Sequence, residues 1–114
     1  MELRQSELED GIRLIQLVGA LDMSGTYGIE VQFVRACAGD QVRVIVDLTK
    51  VSYISSVGIP MLVNTAKSVA THGGKMVLLN PQSAVADVLE LTGITEVIPI
   101  YRDIDSAKAD VISE

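Results

Sequence analysis

The sequence predicts a single α/β domain: a mixed, mostly parallel sheet with an antiparallel hairpin at its N-terminal side and helices packed on it. Three observations carry this. "VRVIVDL" (Val42–Leu48) and "KMVLL" (Lys75–Leu79) are almost continuously apolar and rich in β-branched residues, as strands covered on both faces are. Runs with helical spacing of apolar residues separate the strand-like segments. The resulting order, ββαβαβαβα, alternates strand and helix as a parallel sheet with right-handed crossovers requires.

Each element follows from local pattern. Leu3–Leu8 reads as a short strand, Glu9-Asp10-Gly11 as a turn, and Ile12–Val18 as the returning strand, ended by Gly19. A helix is expected over Ser24–Ala38, with Ile29, Phe33, Ala36 and Cys37 on one face and Gly39-Asp40 as its stop. Gly25 and Gly28 each weaken it by up to about 1 kcal/mol. After Val42–Leu48 a loop is expected over Thr49–Ile54. The next helix places Ile59, Leu62, Val63, Ala66, Val69 and Ala70 in one stripe, and Gly73-Gly74 ends it. Lys75–Leu79 follows as a strand. Asn80-Pro81 has the form of an N-cap with proline at the first helical position, and that helix buries Val85, Val88 and Leu89 before Thr92-Gly93. Val97–Ile100 contains Pro99 and so reads as an edge strand. Asp105–Ile112 completes the chain with Ala107 and Val111 inward.

At 114 residues, 48% of them hydrophobic, the chain is sized for one domain spanning 1–114 with one core. No apolar run approaches the roughly 20 residues of a membrane span. The polar, acidic opening MELRQSELED is not expected to act as a secretory signal or transit peptide. One cysteine, Cys37, excludes an internal disulfide and suits a reducing cytoplasm. A net charge of −6, with no Lys/Arg cluster, argues against nucleic acid and against direct membrane binding.

The segment "YISSVGIP" (Tyr53–Pro60) stands where a strand end meets a helix mouth, the usual place for a site in such a sheet. Its serines, Ser55 and Ser56, read as a helix cap, a nucleophile or a switch. The nucleophile reading fails on geometry. The lone histidine, His72, falls about sixteen residues along the helix, roughly 24 Å away at about 1.5 Å per residue. No GxSxG is present either. One His and one Cys provide no metal cluster, and neither GxxxxGK[ST] nor GxGxxG occurs, so no cofactor is expected. As an N-cap Ser56 would contribute about 1 kcal/mol. Pro60 would then fall at the fourth helical position, where an N–H is needed, so the helix start must be irregular or shifted. Capping and a functional serine both stay open on this ground.

"VIVDLTKVSYISSVGIPMLVNTAKSVATHGGKMVLLNPQSAVADVLELTGITEVIPIY", with "LVGALDMSGT" ahead of the first helix, resembles a STAS domain, specifically the bacterial anti-anti-sigma factors (anti-sigma factor antagonists). The shared features are the V-D-L strand, an aromatic two residues before the serine pair, the glycine two after it, the GG before the next strand, and "VADVLELTGI". The resemblance implies a STAS fold and a non-enzymatic regulatory module. Its partner would be an anti-sigma factor that is also a serine kinase of the histidine-kinase-like ATPase type. The unphosphorylated form binds that partner and frees a sigma factor or other client; phosphorylation blocks binding; a serine phosphatase resets the cycle. By position the acceptor is Ser56, with Ser55 as the alternative, and Asp22, Ser55 and Gly58 adjoin it. Met23, Ser24, Val57, Met61, Asn64, Thr65 and Ser68 are the expected docking residues, with Met61, Asn64, Thr65 and Ser68 exposed. Core filling is the competing reading for Met23 and Met61. The chain departs from the family pattern at Ser55, where Asp is usual, and at Val57, where Ser or Thr is usual. That departure keeps a second reading, a non-switching STAS subunit of a lipid-transport ABC system or a stressosome-like scaffold.

Overall fold

The chain begins with the expected hairpin. Strand β1 (Glu2–Glu7) runs antiparallel to β2 (Ile12–Leu21), joined by a 3-10 turn over Glu9–Gly11. The computed structural model describes residues 1–113; after the hairpin come helix α1 (Met23–Ala36), β3 (Arg43–Ile54), α2 (Gly58–Thr71), β4 (Lys75–Leu79), α3 (Ser83–Leu91), a 3-10 turn over Ile94–Glu96, β5 (Ile100–Tyr101) and α4 (Ile104–Ile112). The strands lie in the sheet in chain order, and β2 to β5 are mutually parallel. The architecture and the element order are those the sequence predicts.

Strand alternation divides the core in two. Ile15, Leu17, Val44, Val46, Leu48 and Leu78 face α1, α2 and α3, meeting Phe33, Leu62 and Leu89. Ile12, Ile45, Val77 and Leu79 point to the opposite face, where α4 covers them with Ala107 and Val111. A sheet covered on both faces explains the near-continuous apolar strands. At its outer end α4 is fastened by an ion pair between Lys75 and Asp110, a hydrogen bond from the Tyr101 hydroxyl to Asp110, and a Lys108–Glu9 ion pair at 2.7 Å.

The boundaries differ from the sequence reading in instructive ways. Gly19 does not end β2, which continues to Leu21; its φ of 121° takes up a local irregularity. The expected loop over Thr49–Ile54 is strand, so β3 runs for 12 residues. It does so by holding an extra residue against β2 at two places, between the Gln16/Asp47 and Val18/Lys50 pairs and between Gly19/Val51 and Ala20/Tyr53. Asp47 stabilises the first of these bulges. Its carboxylate accepts from the Thr49 amide at 3.0 Å, from the Thr49 hydroxyl, and from Gln16 Nε2 at 3.3 Å. Asn80 is not an N-cap. It takes a left-handed backbone (φ 50°), which Asn tolerates, and donates to Thr49 Oγ1, while α3 starts after Gln82. Helices α1 and α4 each begin one residue earlier than read, because Asp22 and Asp103 supply the caps. Val97 lies outside β5, which starts at Ile100 on the sheet edge.

Candidate functional site

The site forms where β2 and β3 end side by side. Leu21 pairs with Ile54 across the sheet, and the Ser55 amide donates to the Leu21 carbonyl at 2.8 Å. Asp22 and Ser55 are thus the first residues beyond two adjacent strands, whose spacing is about 4.8 Å. Each opens a connection to a helix on the same face of the sheet.

Asp22 is exposed and caps α1, its Oδ1 accepting from the Gly25 amide at 2.7 Å. The start of α1 is pressed against β2. A Cβ on Gly25 would stand 2.1 Å from the Ala20 carbonyl oxygen, so glycine is required there. On the other side the Ser55 carbonyl accepts from the Gly58 amide at 3.1 Å, closing a tight turn over Ser56 and Val57. Gly58 in turn seats α2 on the strand ends: a Cβ there would lie 2.9 Å from Ile54 Cγ1 and 3.4 Å from Leu21 Cβ.

The two serines have opposite environments. The Ser55 hydroxyl is buried and has no hydrogen-bond partner among the described residues. Ser56 is exposed at the turn. Neither caps α2: its N-cap is Val57, with no side-chain bond to the free amides and no acidic residue in the first turn. Capping by Ser56 is therefore corrected. With Val57 as cap, Pro60 is the third helical residue, whose N–H has no intrahelical partner in any case, so the proline costs no hydrogen bond. The result is an uncapped, electropositive helix N-terminus next to an exposed hydroxyl, with the Asp22 carboxylate on the neighbouring connection.

Of the expected docking residues, Met23 is 61% exposed, and Ser24, Asn64 and Ser68 are also exposed. Val57 is half-buried. Met61 and Thr65 are buried, at 3% and 5% exposure, which corrects their reading as exposed contacts. The buried face of α2 is Gly58, Met61, Leu62, Thr65, Ala66 and Val69, rotated toward α1 relative to the stripe read from the sequence. Met61 and Thr65 line a cleft of about 260 Å³ between α1 and α2, with Val34, Cys37 and Val69 around them and Asn64 and Ser68 also on its walls. Burial pushes the Cys37 thiol up to about 12, so it is an inert wall residue. Sequence reasoning missed Tyr27, Val31 and Val34, all substantially exposed on α1. Their signal was present, since they fall off the face that Ile29 and Phe33 define. His72 sits at the far end of α2, exposed, with Nδ1 2.8 Å from the Ser68 carbonyl oxygen. No cluster of metal ligands occurs among the described residues, and no helix is long and apolar enough to cross a membrane.

The STAS domain family matches residues 4–107, and the chain belongs to it. The chain is 26% identical over 100 residues to a candidate anti-sigma factor antagonist, BtrV, of Bordetella bronchiseptica, across 88% of this chain and 86% of that protein. Among solved structures, the candidate anti-sigma factor antagonist TM1081 of Thermotoga maritima superposes with a TM-score of 0.84 at 20% identity, covering 97% of this chain and 95% of that one. The anti-sigma factor antagonist SpoIIAA of Bacillus, in its unphosphorylated form, gives 0.75 at 18% identity, covering 99% and 100%.

Proposed function

We propose that the chain is a partner-switching anti-sigma factor antagonist whose unphosphorylated form binds an anti-sigma factor and whose phosphorylation at Ser56 ends that binding. The observation that carries this reading is the contrast between the serines: Ser56 offers an exposed hydroxyl at an uncapped helix N-terminus, while the Ser55 hydroxyl is buried. A kinase needs the first and cannot reach the second. SpoIIAA, which shares the fold, is known in a phosphorylated form, and this supports the same chemistry here.

A phosphoryl group adds about −1.5 to −2 charge. The α2 N-terminus favours an anion, whereas Asp22 repels it, so the domain keeps its fold and the change is confined to the surface. A partner packed over Ser56 would have to desolvate that charge, at a cost of several kcal/mol. The partner is an anti-sigma factor of the histidine-kinase-like ATPase type that is also the serine kinase, with a phosphatase to reset the switch, all in the cytoplasm. The chain itself performs no catalysis: the serine hydrolase reading has no base, with His72 at the opposite end of α2.

Intact-mass measurement after incubation with ATP and the cognate anti-sigma kinase tests this. One phosphate is expected, lost in Ser56→Ala and retained in Ser55→Ala. Absence of phosphate, or its persistence in Ser56→Ala, defeats the proposal, and absence would favour a non-switching STAS subunit.

A further inference from the structure

Along the outer face of α1, Met23, Tyr27, Val31 and Val34 recur at intervals of three or four residues, and Tyr27 and Val31 are 62% and 63% exposed. The core takes the other face, through Ile29, Phe33 and Ala36, so the stripe has no role inside the chain. Beside it lies Gly28. Gly25 is demanded by the Ala20 carbonyl, but a Cβ on Gly28 would meet nothing within 4 Å, and its φ is not positive. A mid-helix glycine costs stability. Here the fold gains nothing in return, and a bare helix surface admits close approach by another backbone.

The stripe is continuous with the switch. Met23 directly follows Asp22, and Val34 is also a wall of the cleft whose opposite side is Met61 and Thr65, about one and two turns beyond the start of α2. Its size discriminates between occupants. Met23 to Val34 spans about 17 Å of helix. Four side chains fall well short of the 20–30 residues, or about 800 Å², that each partner of a standard interface contributes. A second copy joined through α1 alone is therefore too small, whereas α1, the cleft and the Ser56 turn form one continuous surface for a larger partner. Asp22 beside the switch and Glu30 on the wall of the cleft make this surface acidic, on a chain of net charge −6.

We propose that the outer face of α1 is the second half of the docking surface for the anti-sigma factor. Its occupant is an apolar helix of that partner, which crosses α1 at Gly28 and brings basic residues toward Asp22 and Glu30. This rests on the partner-switching reading above.

The test compares unphosphorylated wild type, Gly28→Gln and Tyr27→Ser, measuring Tm and the Kd for the cognate anti-sigma factor by titration calorimetry. Gly28→Gln is expected to raise Tm while weakening binding about tenfold or more, since side-chain bulk at the centre of an interface blocks contact. Tyr27→Ser is expected to weaken binding similarly with Tm nearly unchanged. Wild-type affinity in both variants overturns this inference and leaves the Ser56 reading intact. Failure of the wild-type chain to bind the anti-sigma factor overturns both. Sedimentation showing a dimer that Tyr27→Ser dissolves would make a second copy the occupant, against the proposal.

Discussion

The Ser55 amide donates to the Leu21 carbonyl across 2.8 Å, so the turn that carries Ser56 is tied to the residue immediately before Asp22. The acid and the exposed serine are held in step by backbone rather than by side chains. Substitution of either side chain should therefore change chemistry without moving the other.

Asp22 has two separable roles. Asp22→Ala removes the α1 cap and is expected to cost about 1 kcal/mol in urea denaturation, whereas Asp22→Asn, an equally good cap, is expected to keep wild-type stability. Both should change affinity for the anti-sigma factor alike, because both remove the charge. Wild-type binding by the Asn variant would reduce Asp22 to a cap.

Ser56→Ala and Pro60→Ala are both expected to leave stability within about 0.5 kcal/mol of wild type, since neither residue contributes a hydrogen bond to α2. A loss near 1 kcal/mol in Ser56→Ala would restore the capping role that the geometry denies.

Gly25→Ala is expected to destabilise the domain by at least about 2 kcal/mol, because the new Cβ would meet the Ala20 carbonyl, a backbone atom that cannot rotate away. Thermal unfolding distinguishes this from the stabilisation expected when Gly28 is replaced on the same helix.

The Lys75 ammonium, and after it the Tyr101 hydroxyl, hold the Asp110 carboxyl below its ordinary value of 3.8. A depressed folded-state pKa gives stability that is present above the ordinary value and lost as pH falls through the lowered one. Urea midpoints of wild type should thus drop on acidification below about pH 4, and Asp110→Asn should flatten that part of the curve while lowering the neutral plateau. An identical acid limb in the variant would remove Asp110 from the account.

Cys37, its thiol pushed up to about 12 by burial, is expected to resist alkylation at neutral pH in the folded domain and to react once urea opens the α1–α2 side. Rapid labelling without denaturant would mean that the cleft opens spontaneously.

The architecture was legible because both signals it depends on are local: continuous apolar strands and helices of regular period. The Ser56 turn was partly legible, since Pro60 made a simple cap incomplete and called for an irregular or shifted start, which Val57 provides. What stayed hidden was set by tertiary contact. Thr49–Ile54 is polar enough to read as loop, and becomes strand only because Asp47 and β2 supply partners for it. Met61 and Thr65 read as exposed because the flank of α2 that is buried depends on where α1 packs. The partnerless hydroxyl of Ser55 and the idle glycine at position 28 have no sequence signature at all, because each is defined by which atoms surround it.

The two extra residues in β3 are a reserve of length. Between Asp47 and Ile54 the strand is two residues longer than the stretch of β2 it accompanies, from Gln16 to Leu21. Removing Ser52 would make Gly19/Val51 and Ala20/Tyr53 consecutive pairs and leave Leu21 opposite Ile54, so the surplus is absorbed before the strand reaches the Ser55–Ser56 turn. The position of that turn is thus set by where the two strands end together, and the bulges shape only the path by which β3 arrives there.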